Sequence, residues 1–228
     1  SYTQIKDPKK GLSFDSDGDL NMQMGMNNFS AKDVVNKLDG KKLEKIFKYF
    51  GDEKEAKKIA NNIIKERLKK DLDTKSLVNL IEKTKRKKNY KIHSATKVFQ
   101  ALRIFVNKEI TELIEGLINA SKVLSQGGKI IVLTFHSIED RIVKFFFSNF
   151  SENKSRGSRY FPDSNNKKIL FRSYKNKVIR PDSKEIEKNN PSRSAKLRFV
   201  TRNQDIYFYP SELKKKFSHY LELESKNV

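Results

Sequence analysis

The chain has 228 residues, enough to bury a real core in one or two domains, and contains no cysteine, which excludes disulfides, thiolate metal sites and cysteine nucleophiles and fits a reducing cytoplasm. Its 49 Lys and Arg against 28 Asp and Glu leave a formal charge of +21, which favours a polyanionic partner such as nucleic acid. No apolar run approaches the roughly 20 residues that span a bilayer and the opening SYTQIKDPKKG lacks a signal-peptide pattern, so a soluble, cytoplasmic protein without membrane contact is expected.

Residues 1–29 are turn-rich, with Asp7-Pro8, Gly11, Asp17-Gly18 and Gly25 close together. Met22, Met24 and Met26 alternate, which predicts an extended apolar edge with a packing role rather than a metal-binding one. From Ser30 the period becomes helical, and Ser30 with Asp33 gives an N-cap signature before Val34, Val35 and Leu38. Leu43, Ile46, Phe47 and Phe50 form a stripe that Gly51 ends. Ala56, Ile59, Ala60, Ile63, Ile64 and Leu68 form another, and Thr74 opens a third through Leu77, Leu80 and Ile81. With no strand signal among them, these predict a compact all-helical subdomain over 30–90. Its lysine-rich outer faces are ordinary solvated surface, but Lys85, Arg86, Lys87 and Lys88 at a helix end could also hold phosphates.

A long helical stretch over about 94–124 follows, with Asn107 marking a break, and the stop at Gly127-Gly128 leads into an apolar run over 129–135. Its β-branched character predicts a strand covered on both faces, as in a parallel sheet between helices. Helix, glycine turn, strand and helix thus make an α/β unit. Residues 151–167 form a polar, basic loop. The spans 169–171, 177–179 and 197–201 are further strand candidates, with a turn at Asn190-Pro191, and 211–224 has the pattern of a final amphipathic helix.

His136, Ser137, Glu139, Asp140 and Arg141 fall where the apolar run ends and a helical face begins. Ligands of open α/β sheets bind beyond the carboxyl ends of the strands, which makes this an active-site edge. Equally, Ser137 caps the helix, Asp140 replaces the usual Glu of a capping box, and His136 satisfies a backbone group. No common catalytic pattern is complete: GxxxxGK[ST] and HExxH are absent, and three histidines without cysteine give no support to zinc. The adjacent His136 and Ser137 do not make a base and nucleophile pair. Around Asn190-Pro191, in NNPSRSAKLR, Arg193, Lys196 and Arg198 flank the small Ser192, Ser194 and Ala195. They can bring guanidinium and hydroxyl donors to a phosphate or a base edge, or form a basic turn entering a strand.

In order and spacing, GLSFDSDGDLNMQM (11–24), IHSATKVFQALRIFVNKEI (92–110), GGKIIVLTFHSIEDRIVKFFF (127–147) and NPSRSAKLRFVTR (190–202) resemble the bacterial small-subunit ribosomal RNA cytosine-N4 methyltransferase H (MraW-like) family, over nearly the whole chain up to about residue 203. The resemblance implies an α/β fold: part of a class I, Rossmann-like S-adenosylmethionine-dependent methyltransferase sheet with the all-helical subdomain inserted. Residues 1–29 and 91–203 then belong to the methyltransferase core, 30–90 to the insertion and 204–228 to a tail. It implies N4-methylation of a cytidine in the decoding region of 16S rRNA, with the rRNA or small ribosomal subunit as partner, S-adenosylmethionine as donor and no metal. Family members carry a glycine-rich donor loop and an acidic ribose-binding residue upstream of a Ser-rich turn. This chain starts inside that turn, with Tyr2 where a second serine is usual, so a fragment with little activity of its own is expected. By the resemblance Ser1 lies beside the reacting amine and Gln4 contacts the donor. His136 and Ser137 orient the base, Glu139 or Asp140 fixes the loop or accepts a proton, and Arg141 braces it or meets phosphate. Arg193, Ser194 and Lys196 contact RNA, and the helical insertion closes over it. Phe14 and Phe135 could stack on the base or pack in the core. Two competing readings are a nonenzymatic RNA-binding module and a DNA amino-methyltransferase, whose proline-rich catalytic tetrapeptide is absent.

Overall fold

The computed structural model describes residues 7, 10–14, 19–25, 29–85, 93–152, 168–172 and 174–225. The chain divides into two compact units, Ser1–Glu109 with His219–Val228, and Ile110–Ser218.

The first unit is helical. Helix α1 (Ala31–Lys37) starts at the expected capping box: Asp33 N–H donates to Ser30 Oγ (3.2 Å) and Ser30 N–H to Asp33 Oδ2 (2.9 Å). Helix α2 (Gly40–Gly51) begins at Asp39 and buries Leu43, Ile46, Phe47 and Phe50 completely, and it packs against α3 (Ala56–Arg67) and α5 (Thr96–Asn107). Leu68, placed on the α3 stripe by its spacing, is 82% exposed, because the helix ends one residue before it. Helix α4 (Thr74–Thr84) starts from a box of Asp73 and Ser76.

The break at Asn107 is real. Lys108 adopts φ 49 and closes α5, and α6 (Glu109–Val123) follows directly. Asn107 Nδ2 donates to Met22 O and its Oδ1 accepts from Met24 N–H, each at 2.8 Å. One amide side chain thus replaces a strand partner for the methionine segment, which forms no strand; Met22 is buried at φ 59, and Met26 lies outside the described residues. Gly11 allows the segment to fold close, since a Cβ there would meet Asp19 O at 2.0 Å.

The second unit contains α6 from Ile110 onward, β1 (Lys129–Thr134), α7 (Ser137–Asn149), the short α8 (Ser183–Lys188), a 3-10 turn (Asn190–Ser194), β2 (Lys196–Thr201) and α9 (Ser211–Lys216). The predicted parallel arrangement is not what β1 adopts here. It pairs antiparallel with β2, from Lys129 opposite Thr201 to Thr134 opposite Lys196. Side chains of such a pair alternate between faces. Ile130 and Thr134 are therefore buried on the face that α7 covers, whereas Ile131 and Leu133 are 62% and 52% exposed. The spans 169–171 and 177–179 form only isolated bridges, Phe171 with Ser151 and Arg202, and Ile179 with Leu197. Asn176 before Ile179 adopts φ 54, and among the described residues neither span joins a longer ladder.

Apolar residues at helical spacing on α7 build this unit's core: Ile138, Ile142, Val143, Phe146 and Phe147 are fully buried, and Phe171 meets Phe146 edge-on at 5.4 Å. The predicted helix over 211–224 is two helices, α9 and α10 (Ser218–Ser225), separated at Phe217. Tyr220 of α10, which from His219 onward belongs to the first unit, stacks on Phe50 of that same unit at 5.6 Å. No helix among the described residues is long and apolar enough to cross a membrane.

Candidate functional site

The site grows from the end of β1. After Thr134 the chain stays extended through His136 (φ −135, ψ 166) and then turns into α7. The helix cap lies one residue earlier than the Ser137 and Asp140 pairing suggested. His136 is the N-cap, with Nδ1 accepting from Glu139 N–H at 3.4 Å, and Glu139 closes the box. An imidazole nitrogen here replaces the hydroxyl or carboxylate oxygen usual at this position. Glu139 Oε2 accepts from the N–H groups of Phe135 (2.8 Å) and His136 (3.2 Å). The buried His136 Nε2 lies 3.2 Å from Glu139 Oε1 without hydrogen-bond alignment.

Burial pushes the Glu139 carboxyl upward, but the His136 imidazole and the two backbone N–H groups outweigh it and hold the group below its ordinary range. Glu139 is a fixed carboxylate at neutral pH, and its position in the first turn of α7 suits the helix dipole.

The frame shift leaves Asp140 available to β2. Its carboxylate accepts from Arg198 Nε (2.7 Å) and Nη2 (3.3 Å) and from Lys196 Nζ (3.0 Å). Arg198 Nη1 donates in turn to Tyr174 OH (2.8 Å) and Asn176 Oδ1 (3.2 Å). Only 6% of the Arg198 side chain is exposed, so it is a buried brace rather than a free phosphate ligand. Burial alone would raise the Asp140 carboxyl; Arg198 and Lys196 overcome this and hold it low. Arg198 stays charged because Asp140 and Tyr174 offset its desolvation.

Within the second unit the fold thus brings together His136, Glu139, Asp140, Lys196 and Arg198. Ser137 and Arg141 are exposed on the same first turn of α7. Arg193 is exposed on the 3-10 turn, donating to Asn190 O (3.2 Å) and Oδ1 (2.9 Å), and Ser194 is exposed beside it. Phe135 is 51% exposed at the strand end. In the first unit, Phe14 stacks on His93 with centroids 4.2 Å apart and planes 7° apart, and meets Phe99 edge-on. Lys85 is not a free phosphate ligand: its Nζ lies 2.5 Å from Glu53 Oε2 and donates to Ser94 O at 2.6 Å. Ser1, Tyr2, Gln4, Arg86, Lys87 and Lys88 lie outside the described residues. Sequence reasoning gave Asp140 a loop-fixing role but not its partners Arg198 and Lys196, and missed the parts of Tyr174 and Asn176. The acidic pair at the start of α7 was the available signal for Asp140; nothing local marked the others.

Comparison with known proteins matches residues 1–203 to the MraW methylase family. The chain is 44% identical over 200 residues to proteins of Rhizobium etli and Agrobacterium fabrum, each named ribosomal RNA small subunit methyltransferase H, covering 87% of this chain and 58% of each relative. It is 44% identical over 204 residues to the protein of that name from a Jannaschia species, covering 89% of this chain and 62% of the relative. The chain thus spans about three fifths of the length of these relatives.

Proposed function

Because the chain belongs to the MraW methylase family, we propose that it forms the acceptor side of an enzyme that methylates the exocyclic N4 amine of a cytidine in the decoding region of 16S rRNA, in the cytoplasm. The observation that carries this reading is the His136–Glu139 box and Asp140 brace at the carboxyl end of β1, inside the stretch matched to a methylase family. In this reading β1 and β2 belong to a class I, Rossmann-like sheet, and the helices over 30–90 are its insertion.

The N4 amine is a weak nucleophile because its lone pair is delocalised into the ring, so catalysis rests on aiming it. His136, anchored by its own helix cap, and Ser137 beside it orient the base. Glu139 holds the loop: a carboxylate kept ionised by three neighbouring groups is a poor proton acceptor. Asp140, paired with Arg198 and Lys196, holds β2 against α7; Arg141, Arg193 and Ser194 meet the RNA, and Lys196, expected there too, is engaged by Asp140. Ser1, assigned to the reacting amine by the family resemblance alone, lies outside the described residues. S-adenosylmethionine supplies an electrophilic methyl group. Its contact in this chain is Gln4, which lies outside the described residues, so no step here depends on its geometry.

Small ribosomal subunits incubated with the protein and methyl-labelled S-adenosylmethionine test the proposal. Label should appear on a 16S rRNA cytidine and be lost in His136→Ala. Retention on rRNA without methyl transfer would favour the nonenzymatic RNA-binding module instead.

A further inference from the structure

We propose that the groove between α3 and α4 is a docking track for a single-stranded segment of the substrate RNA, held at its phosphates by Lys65 and Lys83 and read at a base edge by Asn79. This rests on the rRNA reading above and assigns a particular groove and particular residues to an RNA contact in the helical unit. The groove is a solvent-open depression of about 480 Å³, lined in part by Asn62, Lys65, Glu66, Lys69, Asn79 and Lys83. That size accommodates a nucleotide or two rather than a duplex.

Three observations carry the assignment. The first is the charge that remains after internal pairing. Lys58 donates to Thr84 O at 2.7 Å, Arg67 to Val35 O and Leu38 O, and Lys69 pairs with Glu66 at 3.3 Å. Among the described residues Lys65 and Lys83 have no ion pair, and both are exposed on the groove walls. The second is the polar lining. Asn62 Nδ2 donates to Thr84 Oγ1 (2.8 Å), and Thr84 Oγ1 donates to Leu80 O (2.6 Å), which fixes this part of the wall. The third is Asn79, exposed on the groove and without a hydrogen bond among the described residues. A free amide offers both donor and acceptor to a base edge, and unstacked single strands are where proteins read RNA bases.

The test measures binding of the protein to a single-stranded fragment of 16S rRNA across a salt series. Lys65→Gln with Lys83→Gln should weaken binding about 10-fold and reduce the salt slope by roughly 1.4, the change expected when two phosphate contacts to a single strand are lost. Asn79→Ala should weaken binding severalfold while leaving the slope unchanged. Lys41→Gln with Lys45→Gln, which removes the same charge from the exposed side of α2, should have little effect. All substituted groups are exposed or half-buried, and circular dichroism checks that the helices persist. Equal losses in the two double variants would reduce the groove to bulk charge and overturn the proposal. Unaltered binding by the Lys65 and Lys83 variant, with wild-type binding intact, would overturn the groove but leave the rRNA reading standing. Absence of RNA binding by the wild-type protein would overturn both.

Discussion

Asp140 and Arg198 stand 58 residues apart in the chain and meet as a two-pronged pair, Nε to Oδ1 at 2.7 Å and Nη2 to Oδ2 at 3.3 Å. The contact fastens the first turn of α7 to the middle of β2, and so fixes the residues on either side of it, Glu139 and Lys196 among them. Removing one member leaves the other charge in a poorly solvated place.

Asp140→Ala is therefore expected to destabilise the protein by roughly 3 kcal/mol, read as a lower urea midpoint at unchanged slope. Combining Asp140→Leu with Arg198→Met should recover a good part of that loss, because no unpaired charge remains buried. A double variant as unstable as the sum of its single changes would refute the pairing as the cause.

His136 has two separable tasks, capping α7 and, as proposed, orienting the base. Asparagine is a good N-cap, so His136→Asn should keep nearly full stability, whereas His136→Ala should lose about 1 kcal/mol. Methyl transfer should fall in both. Full activity in His136→Asn would leave the imidazole with a capping role alone.

Asp33 gives a pH signature. Burial pushes its carboxyl upward, but the Lys37 ammonium at 2.7 Å and the Ser30 hydroxyl and N–H outweigh this and lower it to about 2. Its folded pKa lies below the unfolded value near 4, so its contribution is complete above pH ~4 and is lost as pH falls towards 2. Asp33→Asn should cost about 1 kcal/mol at pH 7 and flatten stability against pH between about 4 and 2. An unchanged acid slope in the variant would assign that titration to other carboxylates.

Asn107→Ala should release the methionine segment. It withdraws the partners of Met22 O and Met24 N–H, at an expected cost of about 2 kcal/mol. Amide hydrogen exchange at Met24 should speed up more than at core amides of α2. Uniform acceleration across the unit would instead indicate global destabilisation.

Much of the helical architecture was legible because its signals are local. The Ser30 and Asp33 box, the α2 stripe ended by Gly51 and the break at Asn107 each depend on residues within a few positions of one another. The polar cluster after β1 was legible as a place but not as a mechanism. Spacing favoured Ser137 and Asp140 as the cap, and the extended backbone at His136 moved the frame by one residue. That single shift let Asp140 leave its own helix and reach β2.

The sequence by itself determined where the helices of the first unit begin, to within a residue or two, which of their faces are buried, and that a polar group follows an apolar strand. Hydrophobic period and capping chemistry act over a turn or two, and they leave a trace that can be read along the chain. The antiparallel pairing of β1 with β2, the amide of Asn107 serving Met22 and Met24, and the Asp140–Arg198 brace were decided only by tertiary structure. Each joins groups dozens of residues apart, through geometry that no local pattern specifies.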